Sequence, residues 1–167
     1  MLKILEFIRQ RSLPMSEHSE SGESVYNVLL VEQEETLLQS FVRRMEFLLE
    51  RRGLQATILA ASSQDQARLL LGDEPHPEMD LILMTASVRM HTGSADVHRS
   101  ETNTGELIQA LREQCPNAAM IGASVRGDHQ DWLVRSGCHA SMKKDQETPG
   151  KLVDLLVLHP PGRRRSP

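Results

Sequence analysis

The residues with chemistry to offer sit at the ends of short apolar runs. Glu32, Gln33 and Glu34 follow NVLLV, Thr85 follows DLILM, Ser124 follows MIGA and Lys144 follows SMK. These types can donate or accept hydrogen bonds, hold opposite charge and, in the case of the hydroxyls, act as nucleophiles. A threonine or serine hydroxyl attacks poorly unless a neighbouring base activates it. A second group, His91, Asp96, His98 and Glu101, brings metal-ligand types into one polar stretch. Their spacing fits no rigid ligand pattern, so the expectation there is a solvated loop and no metal. Cys115 and Cys138 read as reduced thiols, because a chain of 167 residues buries enough surface to fold without a disulfide.

The first group acts together only if the fold gathers it. Between Tyr26 and His159, strand-sized apolar runs alternate with helical patterns. Asn27 to Glu32 is a buried-strand run, and Glu35 to Arg52 repeats Leu38, Phe41, Val42, Met45, Leu48 and Leu49 at helical spacing. Gly53 is placed to close that helix. A strand at Gln55 to Ala61, a helix at Ser63 to Leu71 and a strand at Asp80 to Thr85 follow. The pattern continues with a helix at Thr104 to Gln114, a strand at Ala118 to Ala123, a short helix at Asp128 to Ser136 and a weakly apolar strand at His139 to Lys143. Thr148 and Pro149 offer an N-cap and a first-turn proline for a last helix carrying Leu152, Val153, Leu155 and Leu156.

Five strands alternating with five helices predict an α/β fold, a doubly wound five-stranded parallel sheet covered on both faces. In such sheets a ligand site lies outside the carboxyl ends of the strands, at the topological switch point. That end would gather Glu32, Gln33, Glu34, Thr85, Ser124 and Lys144.

Outside this domain, residues 1–13 form an amphipathic helical pattern with Ile4, Leu5 and Ile8 on one face. Residues 14–25 are a Ser/Glu/Gly-rich linker, and residues 160–167 a basic tail. Only three Phe, one Tyr and one Trp are present, and the net charge is −4, which argues against aromatic-platform or basic-groove binding of nucleic acid. No apolar run approaches the roughly 18 residues that span a bilayer. The start lacks a small-residue cleavage site. The expectation is a cytoplasmic protein with no membrane span.

This pattern resembles the receiver domain of bacterial two-component response regulators, of the chemotaxis type, from Tyr26 to His159. The resemblance rests on VLLVEQEE at the first strand end, MDLILMT at the third, MIGAS at the fourth and SGCHASMKKD around the fifth. It implies strand order 2-1-3-4-5 and a magnesium site on an acidic pair after the first strand. It also implies a phosphoacceptor aspartate ending the third strand, with a hydroxyl and a lysine that ligate the phosphoryl oxygens. The matches are uneven. Glu32 keeps one acid, Gln33 replaces the other and removes a charge, and Thr85 stands where the acceptor aspartate belongs. A hydroxyl cannot form an acyl phosphate, and Asp80 lies about 17 Å back along the strand. Ser124 and Lys144 match the family's hydroxyl and lysine, but Ser141 holds the place of the aromatic switch and Asp145 that of a common proline. Without an acceptor, Lys144 is expected to pair with Glu32, since a partly buried carboxylate favours a charged partner. The stretch 86–103 is longer than a receiver carries before its third helix, and such length is usually functional or disordered.

The sequence is therefore read as a degenerate pseudo-receiver, a phosphorylation-independent protein–protein interaction module of bacterial signal transduction. It is expected to be no enzyme, to need no cofactor, and to bind an unidentified signalling protein. The candidate contacts are Trp132 and Leu133 on the fourth helix, Ser141 and Met142 on the fifth strand, and Ile4, Leu5 and Ile8. Trp132 reads either as core or as an interface anchor, and the same face could serve a homodimer. One alternative is an unconventional phospho-switch that still binds magnesium and a phosphoryl group through Glu34 or Asp96. Another is a DNA-associated adaptor that uses Arg163 to Arg165.

Overall fold

The computed structural model describes residues 25–72, 78–98 and 100–158. The expected helix with Ile4, Leu5 and Ile8, the linker up to residue 24 and the basic tail lie outside the described residues. Val25, counted with the linker above, already belongs to the first strand.

β1 (Val25–Val31) reads VYNVLLV and is apolar on both faces, as a central strand must be when helices cover both sides of the sheet. α1 (Glu35–Glu50) buries Leu38, Phe41, Met45 and Leu49 along one stripe. Gly53 ends it at φ +65°, its N–H donating to the Glu50 carbonyl at 3.0 Å. Any L side chain would be strained there. β2 (Gln55–Ala61) and α2 (Gln64–Leu70) follow, with the Ser63 hydroxyl capping α2 by accepting from the Gln66 N–H. β3 (Leu81–Thr85) is buried throughout. The remaining elements are α3 (Gly105–Gln114), β4 (Ala119–Ser124), α4 (Gly127–Ser136), β5 (Ala140–Lys143) and α5 (Thr148–Leu158).

The last helix corrects the expected cap. Thr148 already lies inside α5, where the Lys151 N–H donates to the Glu147 carbonyl at 3.0 Å, and Asp145 Oδ1 accepts from the Glu147 N–H at 3.0 Å in the turn before it. The Thr148 hydroxyl instead accepts from the Asp145 N–H at 2.9 Å and donates to the Lys143 carbonyl at 3.2 Å.

The sheet is parallel throughout, in the order β2-β1-β3-β4-β5. Strand alternation divides the core into two layers. Val28, Leu30, Leu81 and Leu83 pack under α1 and α5, against residues such as Phe41, Met45, Leu152 and Leu156. Leu29, Val31, Ile82 and Met84 face α2, α3 and α4, meeting Ala67, Leu107, Ile108 and Leu133. α4 sits so close to the sheet that a Cβ on Gly122 would lie 2.7 Å from Leu133 Cβ. Among the described residues, no helix is long and apolar enough to cross a membrane.

Candidate functional site

β1 and β3 are neighbours although they are not consecutive, so the order changes direction between them, and their carboxyl ends are the place where open α/β sheets carry a ligand site. Glu32 and Gln33 leave β1 there and Thr85 ends β3. β4 brings Ser124 beside Lys143, its pairing partner in β5, and Lys144 follows.

Glu32 is buried, at 2% exposure, yet both carboxylate oxygens have partners. Lys144 Nζ reaches Oε2 at 2.6 Å, and the Glu34 N–H donates to Oε1 at 2.9 Å. The pairing expected of Lys144 is the contact observed. The lysine is tethered from its backbone as well, its N–H donating to the Ser124 carbonyl at 3.0 Å.

Thr85 is buried at the end of β3, and its hydroxyl donates to the Val31 carbonyl at 3.1 Å. A proton so engaged, with no base among the described contacts of that oxygen, makes no nucleophile. The Ser124 hydroxyl accepts from the Arg126 N–H at 3.2 Å at the start of α4. Asp80 lies at the other end of the sheet, where its Oδ2 accepts from the Asn27 N–H at 2.8 Å.

Gln33 has a role that its residue type alone did not reveal. Its Nε2 donates to the Val97 carbonyl at 2.8 Å, and its Oε1 accepts from the Val97 N–H at 3.0 Å. A side-chain amide matches a backbone peptide in this way because it carries one donor and one acceptor side by side. The stretch after β3 therefore folds back to the pocket. Arg89 reinforces it, donating through Nη2 to the Gln33 carbonyl and pairing with Asp96 Oδ1 at 2.9 Å. Asp96, weighed above as a surrogate acid, is thus held by Arg89.

A divalent cation needs several available oxygen donors. Glu32 has committed both of its oxygens and Gln33 its amide oxygen, so these side chains, as arranged, do not fit a magnesium site. The histidine group does not converge either. His91 Nδ1 contacts Asp65, and His98 Nδ1 lies 2.6 Å from the Ser100 hydroxyl. No cluster of three His, Cys, Asp or Glu able to hold a metal occurs among the described residues.

His91, Asp96, His98 and Glu101 are exposed, as expected of a solvated loop, whereas the root of the stretch is buried. Val88 is fully buried, and its N–H donates to Asn103 Oδ1 at 3.0 Å. The Thr104 hydroxyl, also buried, donates to the Thr85 carbonyl at 2.9 Å. Arg89, Val97, Asn103 and Thr104 escaped notice in the sequence. The available signal was the amide at position 33, opposite a loop too long to be left unanchored.

Two of the candidate contact residues also change role. Leu133 is fully buried against Gly122, and Met142 is 8% exposed in the layer under α1 and α5. Adjacent helical residues point about 100° apart, and Trp132, half-buried, packs beside the second core layer near Gly105. In β5, alternation sends Ala140 and Met142 inward and leaves Ser141 half-buried. The apolar side chains that α4 and the turn before it do expose are Val134 and Val125.

The architecture is similar to solved receiver domains. One is a response regulator receiver domain from Rhodospirillum rubrum, at a TM-score of 0.59 and 10% identity over 84% of this chain and 99% of that one. Another is the signal receiver domain of an HD domain-containing protein from Pseudomonas fluorescens Pf-5, at 0.56 and 19% over 85% and 93%. A third is the non-phosphorylated receiver domain of the stress response regulator RcsB from Escherichia coli, at 0.54 and 13% over 79% and 90%. No protein-family model and no curated protein matches the chain. The likeness is one of architecture, and the chain has an α/β receiver-like fold with strand order 2-1-3-4-5.

Proposed function

We propose that this chain is a signal-transduction module of receiver fold that works without phosphorylation, by contact with another protein. One observation carries the reading. The residue ending β3 is Thr85, whose hydroxyl is buried and donated to the Val31 carbonyl at 3.1 Å, where phosphoryl transfer would require a carboxylate. The Lys144 and Glu32 pair supports it, since the lysine and the acid that match the family's phosphate and metal residues neutralise each other. On this reading the protein is no enzyme, and it acts in the cytoplasm through exposed parts of α4, β5 and α5. Val134, Val157 and Leu158 are exposed apolar side chains on α4 and α5.

The direct test is incubation of the full chain with acetyl phosphate and magnesium, followed by intact mass measurement. The expected result is an unchanged mass. A stable phosphoryl adduct would overturn the reading.

A further inference from the structure

The segment from Ala86 to His98 is anchored unevenly. At its root the bonds are dense: the Val88 carbonyl accepts from Asn103 Nδ2 at 2.8 Å and from Gln64 Nε2 at 3.1 Å. Next, the first amides of α2 are spent on it, Gln64 N–H donating to the Arg89 carbonyl at 2.8 Å and Asp65 N–H to the Met90 carbonyl at 3.0 Å. The Ser63 and Thr92 hydroxyls lie 3.1 Å apart. Beyond Gly93, at φ +84°, the anchoring thins. Among the described residues, what holds the segment to the pocket there is the paired bond between Gln33 and Val97 and the contact of Arg89 with Asp96, whose side chain is 62% exposed.

We propose that residues 94–98 are a cover over the carboxyl-end pocket, hinged at Gly93 and latched by Gln33. This rests on the reading of that pocket as a receiver site that has lost its phosphoryl chemistry. The latch requires an amide: aspartate would be shorter and carry no donor, and glutamate would set a carboxylate against the Val97 carbonyl. The substitution that takes an acid out of the pocket is therefore the same one that closes it. The closed form is also incompletely satisfied, because Arg89 Nε is buried without a partner among the described residues, a condition that native structures rarely keep. A well-bonded root and a lightly bonded tip are the conditions for local opening without unfolding.

Amide hydrogen exchange on the full chain tests the proposal, with Gln33→Met as a shape-matched residue that can neither donate nor accept through an amide. Loss of both bonds should speed exchange at Val97 about tenfold, leaving Val88 and the β1 amides unchanged. Gln33→Glu, which keeps an acceptor and loses the donor, should fall between Gln33→Met and wild type. Brief acetylation should label Lys144 faster in Gln33→Met than in wild type, relative to Lys151. Unchanged Val97 protection, equal loss of protection across β1, or unchanged Lys144 labelling would each overturn the proposal. None of these readouts uses a phosphodonor. A wild-type chain that accepted phosphate would sink the functional reading and leave the latch standing, and an unprotected Val97 in the wild type would do the reverse.

Discussion

Lys144 Nζ lies 2.6 Å from Glu32 Oε2, joining the residue after β5 to the residue after β1 across two intervening strands. The carboxylate is buried, while the lysine side chain keeps 19% of its surface exposed. A buried charge without its partner is costly, although the pair itself adds little over an apolar replacement.

Lys144→Met should therefore destabilise the fold by about 2–3 kcal/mol, somewhat below the cost of breaking a fully buried pair. The double variant with Glu32→Leu should recover much of that loss. Urea midpoints measure both. A Lys144→Met variant as stable as wild type would mean that Glu32 is not confined as described.

Gly122→Ala should overpack the contact between β4 and α4. The added Cβ would meet Leu133 Cβ at 2.7 Å and Cδ1 at 3.0 Å, and forced core insertions cost about 1–3 kcal/mol. At about 2–4 °C per kcal/mol for a domain of this size, the thermal midpoint should fall measurably. An unchanged midpoint would show that α4 can move away freely.

The two thiols should be silent in the native state. Burial pushes the Cys138 thiol up to about 12, against a smaller opposing pull from Arg112. Burial, with the nearby Glu78 carboxylate, also raises that of Cys115. Thiolate is the reactive form, so at pH 8 a disulfide reagent such as DTNB should modify neither thiol until denaturant is added. Stoichiometric labelling of the native chain within minutes would contradict the burial of both.

A carboxylate outside the pocket provides a pH signature. Asp128, at the start of α4, accepts from Arg126 Nη2 at 2.6 Å, and this bond chiefly lowers its carboxyl from 3.8 to about 2. A depressed folded value means a stabilising contribution that is present above 3.8 and lost as pH falls toward 2. Side-chain NMR titration should show that midpoint in wild type and a return toward 3.8 in Arg126→Gln. The same midpoint in both would remove the arginine as cause.

Much of this architecture was legible in the residues. The VLLV run announces a strand buried on both faces, and the stripe of Leu38, Phe41, Met45 and Leu49 together with Gly53 defines α1 and its end. Strand order was not legible from periodicity, since period-2 patterns tell nothing of which strand lies beside which; only the motifs at the strand ends suggested it. Glu32 and Lys144 could be paired in advance because a partly buried carboxylate at the carboxyl end of the sheet favours a charged partner, even across two intervening strands. The Gln33 bond to Val97 could not, because its partner is a backbone peptide in a loop, and any residue type but proline would present the same groups there. Leu133 and Met142 were misjudged for a related reason: in elements of ten and four residues, too few turns or alternations are available to set the inward face.

The claim that this pocket no longer answers to phosphate is tested most directly by recording amide NMR spectra of the full chain before and after adding magnesium with beryllofluoride. The account predicts that the signals of Glu32, Thr85, Ser124 and Lys144 stay in place. Saturable shifts clustered at those four residues would contradict it.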